Sequence, residues 1–390
     1  MRHIICILVI LSALSFCGRS PSAVEKIVED GTEVVLNPAD SGRKELLFRL
    51  EKEFVLDLEE ERLASLGLTD IWGFDVDSEG DIYLFKPPWA NGDRVLKFGR
   101  SGDFLFSFAP PGQGPGEIQR PSYQRMNSRD WLPITDLGQS KIVVFDKTGK
   151  TVEEVRVEEL PGSLGSSVFR LENGHYLIRR SVPDPSSGTL YVALILYDGD
   201  FKEIGELDRF EIVQPIRADK IRLPMHVSLW CASSDRIYVG NEDNGYEIRV
   251  YDFYGRLLRK IRKEYEPISV AETYKKEIED KLKDSPDELK KKIVFPDFYP
   301  PFCYLYSDDQ NNLYVKTFEQ RDGSEDRRFD VFNADGVFQG TINLEAHVDD
   351  PFFTLGAPFD SWVMAKKKDR LFCLKEKDSG FKQFVAYRLD

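Results

Sequence analysis

"VLKFGRSGDFLFSF", residues 95–108, reads as a strand, a turn carrying Gly and Asp, and a second strand, and it does not occur once. Close counterparts are "IVVFDKTGKTVEEV" (142–155), "LILYDGDFKEIGEL" (194–207), "IRVYDFYGRLLRKI" (248–261) and "FDVFNADGVFQGTI" (329–342). In "FDKTGK" and "FNADGV" the Asp or Asn can bond its own backbone, while Gly149 and Gly336 supply the left-handed residue that closes a type I turn with a bulge. A second recurring piece is a short strand after a polar turn: "GDIYLF" at 80, "GHYLIR" at 174, "DRIYVG" at 235, "NNLYVK" at 311 and "DRLFCL" at 369, with a weaker copy "RDWLPIT" at 129. Measured at the aromatic residue before each turn, the steps are 47 (Phe98 to Phe145), 52 (to Tyr197), 54 (to Tyr251) and 81 (to Phe332), the last containing an insertion. Each unit of roughly fifty residues therefore holds four short strands. Such units repeated around a ring make a β-propeller, which buries sheet faces between blades and leaves only short edges, and six units fit the chain.

Ring closure sets a further expectation. The sixth unit, from Phe359, offers only three strands, "DSWVMAKK", "DRLFCLKE" and "FKQFVAYRLD". Its outer strand should come from "ELLFRLEKEFVLDLE" (45–59), so that both ends of the chain meet in one blade. The fold class is all-β, a six-bladed propeller over 45–390, with a short α-helical insertion at about 267–293 between blades four and five. In that insertion, Ser269 to Glu272 and Ser285 to Glu288 read as capping boxes, the second with Pro286 at the first helical position. Glu277/Lys281 and Glu279/Lys283 stand at helical spacing. Two readings of the insertion stay open: a lid over the channel mouth, or a surface excursion packed on blade four or five.

"FDVDSEGDIYLF…RVLKFGRSGDFLFSFAPPGQGPGEIQRP" resembles the NHL-type repeat of six-bladed β-propellers, closely over Ile71 to Pro121 and more loosely across the other blades. The resemblance implies the fold; it says little about activity. Within it, "PPGQGPGEIQRP" (110–121) raises the question of a phosphate cradle. Pro115 removes a backbone donor, Pro121 breaks any helix begun at Glu117, and neither P-loop nor GxGxxG spacing is present. The stretch is expected to be a blade connector.

The N-terminus has a charged Arg2, an apolar run from Ile4 to Leu14, and Ser15-Phe16-Cys17. That run is too short to span a membrane and fits a secretory signal. Residues 1–17 are expected to be a signal peptide whose end resembles the lipobox of bacterial lipoproteins, with Cys17 the site of lipid attachment. Phe16 departs from the pattern, where a small residue is usual, so an ordinary signal peptide is the competing reading. Residues 18–44 are expected to form a polar tether. The resemblance implies a lipid-anchored protein of the cell envelope, at the periplasmic face or outer membrane, touching the membrane only through its lipid. Cys231, Cys303 and Cys373 sit in apolar, strand-like surroundings and suggest buried thiols rather than a disulfide framework.

The formal charge of −14, from 53 Lys and Arg against 67 Asp and Glu, argues against nucleic acid as a partner, since phosphate binding needs a basic footprint. Loops joining inner to second or third to outer strands are short and generic. Loops joining second to third strands, or one blade to the next, are long and individual, and both kinds emerge on one face, where function is expected. Candidate ligand residues there are Trp72, Tyr123, Arg125, His226, Phe302 and Asp360 near the inner strands, and Trp89, Arg94, Glu117, Arg120, Arg217 and Arg222 in loops. His175, His226 and His347 lie in different blades, and no CxxC, GxSxG or HExxH pattern is present. A monomeric binding module for a protein, peptide or glycan is expected, with no cofactor and no assigned catalytic residue. The alternative, implied by resemblance to lactonase-type six-bladed propellers, is a Ca²⁺-dependent hydrolase or lyase, for which Asp360 and Glu117 are the available acids.

Overall fold

Each of the five repeated hairpins closes with a register shift at the aromatic residue before its turn, at Phe98, Phe145, Tyr197, Tyr251 and Phe332. The extra residue is what a type I turn with a bulge requires. Gly149 (φ +78°) and Gly336 (φ +74°) occupy the left-handed position as expected. Blade 3 departs from this: Phe201 holds that position at φ +60° and stacks its ring on Tyr176, centroids 4.3 Å apart. Aromatic packing there offsets a conformation that disfavours a Cβ.

The computed structural model describes residues 23–40, 50–156, 167–183, 190–211, 220–224, 226, 228–320, 327–344, 364–377 and 379–389. Its strands form six blades in a ring. From inner to outer, blade 1 comprises Gly73–Val76, Ile82–Phe85, Val95–Phe98 and Phe104–Phe108, and blade 2 Pro121–Tyr123, Leu132–Asp136, Lys141–Phe145 and Thr151–Arg156. Blade 3 comprises Ser167–Arg170, Tyr176–Pro183, Leu190–Tyr197 and Glu203–Glu211; blade 4 comprises Ser228–Ala232, Arg236–Asn241, Glu247–Asp252 and Leu257–Lys263. Blade 5 comprises Tyr304–Ser307, Leu313–Gln320, Arg327–Phe332 and Phe338–Leu344. Blade 6 takes Met364–Lys367, Arg370–Glu376 and Lys382–Leu389 from the end of the chain and Leu50–Asp57 from its beginning, paired antiparallel from Leu50↔Leu389 to Asp57↔Gln383. The expected closure is therefore formed. The second and third strands of blade 1 are buried throughout because both faces of the blade are covered, whereas the outer strand of blade 2, Thr151–Arg156, alternates half-buried and exposed residues.

Two expectations are corrected. Residues 18–44 are not a tether throughout: Glu25–Glu29 and Thr32–Asn37 form a hairpin, and its second strand adds in parallel to the outer strand of blade 4, making a six-stranded sheet. The polar composition concealed two adjacent valines, Val34 and Val35, that are fully buried on opposite faces of the strand. The insertion holds helices Glu272–Lys281 and Asp287–Lys290, but neither capping box forms. Ala271 and Pro286 are the N-caps, and Ser269 instead bridges to Phe298 as the segment doubles back. Helical pairs present include Glu272–Lys275 and Asp287–Lys290.

Of the two readings of the insertion, packing on the blades is observed. Tyr299 stacks on Phe318 of blade 5 at 4.5 Å, and Tyr274 meets Tyr299 edge-on. The insertion's strand Ile293–Val294 also pairs in parallel with Ile221–Arg222 of the connector between blades 3 and 4. Among the described residues no helix is long and apolar enough to cross a membrane, and Cys231, Cys303 and Cys373 form no disulfide.

Candidate functional site

The connector "PPGQGPGEIQRP" is held by its own acid and by blade 2. The Glu117 carboxylate folds back to accept the Gly114 N–H at 2.7 Å, occupying space that a Cβ on Gly112 would enter. Gln139 donates to the Gly112 carbonyl, Lys141 to that of Gly114, and the fully buried Asp136 accepts the N–H groups of Gln119 and Arg120. A phosphate cradle would leave such groups open to a ligand; here they are used within the fold, and the Arg120 side chain is exposed.

The same connector is clamped to the loop between the second and third strands of blade 1. Arg94, 5% exposed, donates to the carbonyls of Ala90, Ile118 and Gln119. Lys86 begins that loop and is 1% exposed, its ammonium bonded to the Asn91 carbonyl and flanked by Gly67 and Gly92, where an added Cβ would lie 3.3 and 3.6 Å from Nζ. Burial holds the Lys86 pKa below its ordinary value, because desolvation disfavours the charged form. Buried Tyr123 stacks on Phe85 at 4.5 Å and donates to the carbonyls of Lys86 and Arg94, and burial raises its pKa. Sequence reasoning missed Lys86, since a lysine after an apolar strand looks like the first solvated residue of a loop.

This scaffold presents two exposed indoles. Trp89, at the apex of the loop, is 70% exposed, and Trp72, just before the inner strand of blade 1, is 37% exposed; the rings meet edge-to-face with centroids 4.8 Å apart. Trp72 is fixed by its N–H to the Phe85 carbonyl and by Lys382 of blade 6, which donates to the Ile71 carbonyl while pairing with Asp70.

Arg125 does something different. From the end of the inner strand of blade 2 it reaches across the ring: its guanidinium donates to the Met364 carbonyl of blade 6 at 2.9 Å, lies 3.5 Å from Asp75 of blade 1, and stands over the Tyr306 ring of blade 5 at 4.8 Å. Burial would lower its pKa, yet Asp75, Tyr304, Tyr306 and Cys231 hold it above the ordinary value. Four blades thus meet at one side chain.

A second cluster lies between blades 3 and 4. His226 stacks on Phe210, centroids 5.1 Å apart, and Arg179 stands 5.2 Å from the same ring. The His226 Nε2 is 3.0 Å from the Asp243 carboxylate but outside hydrogen-bond geometry, and Arg222 pairs with Glu242 at 2.5 Å. Phe302 is fully buried against Tyr246 and belongs to the core. His175 bonds the Phe253 carbonyl through Nδ1, in a different setting from His226. Arg217, His347, Asp360 and Cys17 lie outside the described residues. Among the described residues no group of three His, Cys, Asp or Glu side chains could hold a metal ion.

No family model matches the chain, and no curated protein matches it. Solved structures do. An exported protein, so described without experimental assignment, from Bacteroides fragilis NCTC 9343 aligns over 91% of this chain and 98% of its own at 12% identity, with a TM-score of 0.50. A member of the DUF4221 family from Bacteroides vulgatus ATCC 8482 covers 89% and 99% at 9% identity and a TM-score of 0.47. Virginiamycin B lyase from Staphylococcus aureus, solved with quinupristin, covers 87% and 99% at 10% identity and a TM-score of 0.39. At these identities the likeness is one of fold alone.

Proposed function

We propose that this chain is an exported propeller, anchored by a lipid at Cys17, that binds a protein, peptide or glycan through its long-loop face. The observation that carries the reading is the Trp72–Trp89 pair. Two large aromatic side chains stay exposed although the backbone under each is tied down, by buried Arg94 and Lys86 and by half-buried Lys382. Rigid, exposed indoles lose little entropy when a partner covers them, and Trp is the residue type most enriched at binding hot spots. The channel residues support a division of labour: Tyr123 and Arg125, both of blade 2, are already used in tying it to blades 1, 5 and 6, which leaves the rim above blade 1 as the place for a ligand. Export is supported by the apolar Ile4 to Leu14 run and by the description of the Bacteroides fragilis neighbour.

Glycan and peptide arrays probed with the mature protein test the reading. A hit whose affinity falls about tenfold or more in Trp89→Ala, and similarly in Trp72→Ala, supports it. Hits indifferent to both changes place the ligand elsewhere. A melting temperature that rises saturably with Ca²⁺ and falls back with EDTA supports the hydrolase or lyase alternative instead.

A further inference from the structure

Blade 4 differs from the other five among the described residues, because two strands are added outside its fourth. The added hairpin is not needed for ring closure, which Leu50–Asp57 performs in blade 6. It is nevertheless built to stay. The outer strand of blade 4, "LLRKIRK", is basic, and the hairpin is acidic: Glu33 pairs with Arg259 at 2.8 Å, and Glu29 takes two bonds of 2.7 Å from Arg262. Val34 and Val35, in the strand that pairs with that outer strand, are fully buried. Asn37 locks the end, donating to the carbonyls of Arg262 and of Gly336 in blade 5 and accepting the Phe338 N–H at 2.8 Å.

The consequence is one of reach. A chain of 27 residues from 18 to 44 could extend about 95 Å, but with the hairpin docked only the seven residues 18–24 separate Cys17 from the blade, at most about 25 Å. We infer that the hairpin is a clamp that keeps blade 4 within that reach of a lipid surface, so that the propeller sits with the rim of blade 4 toward the bilayer and blade 1, opposite it in the ring, farther away. This rests on the proposal that Cys17 carries the lipid. The constraint is mechanical, because the hairpin's own charge is negative and gains nothing from anionic lipid. Glu25, where the tether leaves, pairs with Leu36 beside the Arg262 end of the outer strand and so lies on the long-loop face; the Trp72–Trp89 pair shares that face but stands on the blade opposite the tether, farther from the membrane, where a soluble or cell-surface partner can reach it.

The experiment uses the full-length, processed protein in phosphatidylcholine vesicles that contain a headgroup-labelled energy acceptor. A single donor is placed at Val28→Cys, on the hairpin, or at Leu105→Cys, on the outer strand of blade 1, each with Cys231→Ser to remove the half-buried thiol. Transfer is expected to be several-fold higher from position 28 than from 105. An insertion of about twenty Gly/Ser residues after Ser22 leaves the fold untouched and should bring the two toward equality. Intact mass reads acylation separately: its absence overturns the anchor and the orientation together. An acylated protein with equal transfer from both positions overturns the orientation alone, and asymmetry that survives the insertion overturns the hairpin as its cause.

Discussion

Asp330 of blade 5 is fully buried and accepts the Tyr246 hydroxyl at 2.6 Å, with the Lys263 ammonium at 3.3 Å; Tyr246 and Lys263 both belong to the blade 4 sheet region. Burial first, and then the Asp330 charge, raise the Tyr246 pKa well above its ordinary value, so the phenol remains a donor at any physiological pH. The two partners of Asp330 are not equivalent. Lys263→Met leaves a carboxylate in the interior with no countercharge and is expected to destabilise the fold by about 3–5 kcal/mol, because removing one member of a buried pair strands the other. Tyr246→Phe removes one hydrogen bond and is expected to cost about 1–3 kcal/mol. Urea titration of both variants checks the order; a Lys263→Met midpoint close to wild type would show that the buried pair contributes little to the fold.

At the scale of elements, the N-terminal hairpin combines an apolar anchor with a charged seam, and the two respond differently to pH. The hydrogen bonds from Arg262 hold the Glu29 pKa below its ordinary value of 4.5, so the folded state binds a proton less readily there than the unfolded chain does. A depressed carboxylate pKa contributes stability in full above the ordinary value, and that contribution is lost as the pH falls through the folded one. The seam is partly exposed, which limits its size. The expected outcome is that amide protection of the hairpin, corrected for the intrinsic exchange rate, declines from about pH 5 downward while the second and third strands of the blades keep theirs. Loss of protection in hairpin and blades together would show that Val34, Val35 and Asn37, not the acids, decide docking.

For the whole molecule, two N-terminal segments act at different seams. Leu50–Asp57 completes blade 6, with Leu56 buried in the main core beside Phe384, whereas the hairpin joins blade 4 to blade 5 without closing the ring. A chain beginning at residue 38 is expected to fold into a closed ring that unfolds cooperatively at a lower denaturant concentration than the full chain. A chain beginning at residue 60 lacks the outer strand of blade 6 and exposes sheet faces on either side of the gap; loss of cooperative unfolding, or aggregation, is expected. Circular dichroism through a urea series distinguishes them, and a cooperative transition in the shorter chain would overturn the closure argument.

The sequence by itself determined the propeller, its six units and the strand that closes it, because hairpin chemistry is local: an aromatic residue followed by a polar turn with a left-handed residue, most often Gly, recurs about once per fifty residues outside the insertion. It also marked the long-loop face and, in Trp72 and Trp89, residues that stand together there. Only the tertiary structure decided which charged residues are already used. Arg94 and Arg125 satisfy carbonyls or acids far away in sequence, and Glu117 folds back on the Gly114 N–H; nothing local distinguishes such an arginine from one that waits for a ligand. The hairpin at Glu25–Asn37 and the unmade capping boxes share that reason: a short polar segment has no strong preference of its own, and its state is set by the edge or surface it meets.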